Sequence, residues 1–268
     1  MVKAFATIVC LMLLLAPLAV AADFIYDTDW PNAAQPEPTA VSSTRTVNQV
    51  LARFGPVVSP GWQVRFRELE LTYPPDNLTL IGLKEERRLE VWTRQGQSAF
   101  FLHAFDVLDA SGLPGPKRRR GDHQVPEGIY RVDAFNPNSR FHLSMRINYP
   151  NDFDRTKGQL DGRLDLGDNI FIHGAAYSEG CLAIGDPAIE ALFVLAAKVP
   201  AGRIEVILAP RDGRQAPLIP PRGLPDWVDD LYREIELALA AFTPQSTDAP
   251  TRSLMVEQPS PWATSAGP

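Results

Sequence analysis

Between residues 62 and 208 the chain changes pattern every few residues, and that punctuation limits its fold more than any other feature. Short apolar runs alternate with polar residues at period two, and Gly, Pro, Asn or Asp stands between the runs. This is the pattern of strands joined by turns. Residues 141–147 are the plainest case, with Phe141, Leu143, Met145 and Ile147 alternating with His142, Ser144 and Arg146. Trp62, Val64 and Phe66 alternate in the same way with Gln63, Arg65 and Arg67, so the first strand is expected there. Further strands are expected over 78–83, 88–93, 99–107, 128–135, 169–173 and 203–208. The expected fold class is mainly β with a few helices (α+β), in a domain covering 61–209.

Two helices are signalled. Asp186 is placed to cap the first and Pro187 suits its opening turn. Ile189, Leu192, Phe193 and Ala196 make its apolar stripe, and Pro200 and Gly202 follow its end. The second is amphipathic and covers 225–242, with Trp227, Leu231, Ile235, Leu239 and Phe242 on one side. Its acidic Asp229, Asp230, Glu234 and Glu236 favour packing on the domain over lying on a membrane. Residues 210–224 are rich in Pro, Gly and Arg and read as a linker. Residues 22–60 read as an irregular Pro/Ala-rich lead-in with a short helix near 47–54, and 243–268 as a disordered tail.

Lys3, the apolar run 4–18 and the small residues of Ala19-Val20-Ala21 read as a signal peptide over 1–21. An exported protein with no stable membrane span after cleavage is expected. The net charge is −6, and loss of Lys3 makes it more negative, which argues against nucleic acid as a partner. The chain has two cysteines, and Cys10 lies in the leader. Cys181 is then alone, and a lone thiol in an exported protein is either reactive or a buried structural side chain.

The stretch 169–186 reads NIFIHGAAYSEGCLAIGD. A strand ends at His173-Gly174, and a short loop leads to Ser178-Glu179-Gly180-Cys181. His173 and Cys181 are close enough in sequence for a tight loop to join their side chains. A thiol with a pKa of about 8.5 is only a few per cent thiolate at neutral pH. A neighbouring imidazole can take its proton, and a third group must hold that imidazole in the right tautomer. Gly174 and Gly180 allow close backbone approach, and N–H groups near Cys181 can form an oxyanion hole.

HG followed by S-x-G-C resembles the signature of the L,D-transpeptidase catalytic domain (YkuD-like) family, and the short His–Cys gap resembles its YafK subgroup. Three other segments match that pattern: Gly115-Pro116-Lys117-Arg118-Arg119-Arg120-Gly121-Asp122, Pro126-Glu127-Gly128 and Tyr149-Pro150-Asn151. The resemblance covers roughly 83–208 and implies the YkuD-like catalytic fold with a helix near the nucleophile. It implies Cys181 as nucleophile, His173 as general base, the Gly174 carbonyl orienting His173, and the Gly180 and Cys181 N–H groups as the oxyanion hole. It implies no metal and no organic cofactor. The implied substrates are peptidoglycan stem peptides in the periplasm or cell wall, attacked at the L-centre of the diamino acid. Transfer to an amine is one outcome. Hydrolysis of the stem, or release of a wall-attached lipoprotein, is the alternative, and a non-catalytic wall-binding module is a third reading.

The sequence departs from the family pattern in two places. Glu179 occupies the variable position of S-x-G-C, and Leu182-Ala183 follows Cys181 where many relatives carry an Arg. Substrate contacts are expected from Ser178, Tyr177, Arg155, Lys117 and Arg118, although a pair with Asp152 or Asp154 equally accounts for Arg155. Pro126-Glu127-Gly128 reads as a turn into a strand and little more. His103, His123 and His142 show no metal-ligand spacing.

Overall fold

The computed structural model describes residues 44–243. The leader, the first part of the lead-in and nearly all of the tail lie outside them. The chain opens with a helix, α1 (Val47–Glu68), capped by Thr46, whose hydroxyl accepts from Gln49 N while the Gln49 side chain accepts from Thr46 N. Val58, Trp62 and Phe66 recur every four residues and are buried, which is a helical stripe. The strand expected over 62–67 is therefore helix. Trp62 and Phe66 belong to both patterns, but Val64, the third member of the alternation, is 45% exposed. The helix runs through Pro56 and Pro60 and packs residues expected to be irregular into the core.

The strands are β1 (Leu78–Leu83), β2 (Arg88–Gln95), β3 (Ser98–Asp106), β4 (Gly128–Ser139), β5 (His142–Ile147), β6 (Phe171–His173), β7 (Leu182–Ala183) and β8 (Ile204–Ala209). They form an eight-stranded sheet in the order β3-β2-β1-β8-β4-β5-β6-β7. The pairs β1–β8 and β6–β7 are parallel, and the other pairs are antiparallel. Every residue of β1 is buried, as expected of a strand covered on both faces. On one side lie α1 and α3 (Asp186–Ala196), joined by Trp62 Nε1 donating to Ala191 O at 2.9 Å. On the other, α4 (Trp227–Leu239) and the turn Ala240–Phe242 cover Ile81, Trp92 and Ile207. The structure is thus α+β.

Three local readings change. Gly185, not Asp186, caps α3, because the Asp186 carboxylate accepts from Ala175 N at 2.7 Å instead. A helix unsuspected in the sequence, α2 (Asp152–Leu160), starts at Asn151, where Asn151 and Asp154 form a reciprocal cap. The linker is fastened to the sheet: buried Arg214 pairs with Asp212 at 2.7 Å and Glu90 at 3.0 Å, and Glu90 also accepts from Trp92 Nε1.

Glu127 does far more than enter a strand. Its buried carboxylate accepts from Lys84 Nζ at 2.8 Å, Gly115 N at 2.9 Å and the Tyr232 hydroxyl at 2.7 Å. It ties β1, the 115–127 loop and α4 together. A buried carboxylate is stable only when its lone pairs are used in this way.

Candidate active site

The loop from His173 to Cys181 joins two parallel strands that lie side by side, with His173 opposite Ala183 and Ile172 opposite Leu182. One step back in that register, Cys181 falls level with Phe171, so thiol and imidazole arrive on neighbouring strands. Gly174 is required at the turn. A Cβ there would lie 2.5 Å from Asp186 Oδ1 and 2.7 Å from Phe141 O.

The imidazole is buried, and its Nδ1 lies 2.6 Å from the Gly174 carbonyl oxygen. A carbonyl only accepts, so Nδ1 carries the proton and Nε2 of the neutral ring keeps its lone pair. The Phe141 ring stacks on the other side at 4.5 Å between centroids. Burial holds the His173 pKa below its usual 6.5, against the Gly174 hydrogen bond and the charge of Asp109. Burial likewise pushes the Cys181 thiol above its usual 9.0, opposed by the Phe171 N–H and the positive charge of Lys117. At neutral pH the two groups rest as thiol and neutral imidazole. The thiol sits 3.9 Å from Asn169 O.

The turn before Cys181 is braced by residues far away in sequence. Asp109 accepts from Ser178 N at 2.8 Å, and Ser111 Oγ accepts from Gly180 N at 2.6 Å. Ser178 Oγ accepts from Cys181 N at 2.9 Å. The N–H groups expected to receive an oxyanion are thus already bound to the hydroxyls of Ser111 and Ser178. Ser178 itself is buried, and its hydroxyl is engaged in the turn.

His173, Cys181, Tyr177 and Glu179 line one cavity of about 480 Å³, with Arg140 and Phe141 on its wall. Tyr177 is 63% exposed there. Arg155 lines a neighbouring cavity of about 420 Å³, which shares Asn169 with the first, and its guanidinium is 3.5 Å from Asp152. Lys117 and Arg118 reach neither cavity. Lys117 is buried against Asp122, and Arg118 pairs with Asp161 at 3.4 Å. Asp122 also accepts from the backbone N of Arg118 and Arg119, so the basic run is folded around one carboxylate. Lys117 and Arg118 are thus engaged within the fold, and Lys117 acts on the thiol through its field. Asp109, Ser111, Arg140 and Phe141 went unread as site residues in the sequence, because only the fold brings them to the loop. Among the described residues, no group of three or more His, Cys, Asp or Glu side chains is placed to hold a metal.

Residues 76–207 match the model of the L,D-transpeptidase catalytic domain, YkuD. "Putative L,D-transpeptidase YafK" of Escherichia coli strain K12 is 35% identical over 112 residues, which make up 41% of this chain. The match spans only 43% of that relative's length. Among solved structures, the helical cell shape determining protein Pgp2 from Campylobacter jejuni is 20% identical with a TM-score of 0.44, covering 52% of this chain and 50% of that one. Bd1075 from Bdellovibrio bacteriovorus is 20% identical with a TM-score of 0.38, covering 63% of this chain and 58% of that one. Residues 76–207, which hold both His173 and Cys181, are thus similar to the L,D-transpeptidase catalytic domain family.

Proposed function

We propose that this protein is an exported cysteine acyltransferase that acts on peptidoglycan stem peptides in the periplasm or cell wall. One observation carries the reading: a histidine whose Nδ1 is held by the next residue's carbonyl lines the same cavity as a lone thiol. His173 Nε2 takes the thiol proton as sulfur attacks the carbonyl carbon at the L-centre of the diamino acid. The amide C–N bond breaks, the imidazolium returns the proton to the leaving amine, and a thioester remains on Cys181. An acceptor amine or water then gives its proton to His173 and displaces the thiolate, which is reprotonated. Gly174 keeps the base in its working tautomer, and Tyr177 borders the donor. Because the resting N–H groups of Gly180 and Cys181 are engaged, oxyanion binding requires Ser111 and Ser178 to yield them.

The test is mass spectrometry of muropeptides incubated with the purified protein and with Cys181→Ala. New cross-linked dimers support transfer. Shortened stems or released lipoprotein support the hydrolytic alternative. Identical profiles for both proteins would overturn the enzymatic reading and leave a wall-binding module.

A further inference from the structure

We infer that Arg140 and Glu179 read a zwitterionic amino-acid head on the acyl donor, its carboxylate at Arg140 and its ammonium at Glu179. The inference rests on the proposed stem-peptide reading and names the part of the stem that the cavity selects. Apart from His173, Arg140 is the one cation among the residues lining the catalytic cavity, and Glu179 is the one carboxylate. They rise from different loops, the β4–β5 turn and the turn before Cys181, and among the described residues neither has an ion-pair partner, including each other.

The nearby basic residues are already engaged. Arg146 is held by Asp133, Arg120 by Asp165 and Asp168, and Arg118 by Asp161. The Arg140 guanidinium instead lies over the Phe141 ring, 5.3 Å from its centroid, and that ring stacks on His173 at 4.5 Å. Its position is therefore set relative to the reacting centre, while its forked donors stay open to a carboxylate. Among the described residues Glu179 has only the Tyr177 hydroxyl, at 3.4 Å. Phe141 and Phe171 are the apolar members of the same lining.

A cavity with one open cation and one open anion suits a group bearing both charges. Within a stem peptide, the free end of a diamino diacid carries a carboxylate and an ammonium on one carbon. A terminal amino acid offers only the carboxylate, and a lysine-type residue only the ammonium.

The test uses synthetic tetrapeptide stems that differ only at that end: free zwitterion, amidated carboxylate, acetylated amine, or no carboxylate. Release of the terminal residue gives kcat and KM for the full-length protein, Arg140→Gln and Glu179→Gln. Calorimetry on Cys181→Ala backgrounds gives the same comparisons as Kd without turnover. Arg140→Gln should raise KM or Kd for the zwitterionic stem about tenfold, roughly one charge-assisted hydrogen bond, and leave the amidated stem unchanged. Glu179→Gln should do the same, with the acetylated stem as its insensitive partner. Equal losses on modified and unmodified stems, or no loss on either, would overturn the inference. Absence of turnover on every stem, with the binding pattern intact, would overturn the proposed reaction and leave the zwitterion site standing.

Discussion

The imidazole of His173 lies almost parallel to the Phe141 ring, with 26° between their planes and 4.5 Å between centroids. Phe141 comes from the β4–β5 turn, and the next residue, His142, is held by Glu190 on α3 at 2.7 Å. The stack buries one face of the ring and restricts its rotation, while Gly174 holds its edge. Phe141→Ala should uncover that face. The His173 pKa should then rise towards 6.5, and kcat should fall about tenfold as the base loses its fixed orientation. Ring titration by NMR checks the first outcome, and an unmoved pKa would show that Phe141 is not what keeps the ring dry.

The pH profile follows from the same burial. A base with a lowered pKa stays neutral further into acid, so the acid limb of kcat/KM should lie below pH 6.5. The thiol shifts the other way, so the alkylation rate of Cys181 with iodoacetamide should still be climbing past pH 9.0. A rate that levels off near neutrality would instead indicate a preformed thiolate–imidazolium pair.

Glu127 links α4 to the sheet that carries His173. Glu127→Ala leaves the Lys84 ammonium buried without its carboxylate, which should cost about 3–5 kcal/mol. Tyr232→Phe loses one hydrogen bond to a charged group and should cost about 1.5–3 kcal/mol. Urea unfolding of the two variants measures both, and a loss well under 1 kcal/mol for Glu127→Ala would remove its central place.

Ser144 faces His173 directly across the β5–β6 ladder, yet its buried hydroxyl has no hydrogen-bond partner among the described residues. A buried polar group without a partner carries its desolvation cost uncompensated. Ser144→Ala should therefore raise stability by about 1 kcal/mol, seen as a higher Tm. A lower Tm would mean that the hydroxyl is satisfied in solution.

Gly174→Ala should lower both stability and activity. The added methyl meets Asp186 and the Phe141 carbonyl at distances that real Cβ atoms do not occupy. Relief requires moving the turn that aims His173. Overpacking of this kind costs about 1–3 kcal/mol, measurable by thermal denaturation, and kcat should fall more than binding weakens.

What the sequence determined by itself was local. Strands such as β1 and β5 were legible because alternation needs only near neighbours and one buried face. That His173 and Cys181 share one cavity was legible because the imidazole, the Gly174 carbonyl and the thiol lie within a few residues of one another. The α1 error arose where Trp62 and Phe66 satisfied two periods at once, and only packing against α3 chose between them. The Asn151–Asp154 cap was a readable signal for α2 that went unread. Tertiary structure decided everything that depends on distant partners. Asp109 and Ser111 brace a turn 69 residues on, and Glu127 meets Tyr232 across 105 residues. Lys117 is buried against Asp122, a pairing set by how the 117–122 loop folds. A side chain's type is written in the sequence, but its partner and its exposure are set by which strands and helices end up side by side.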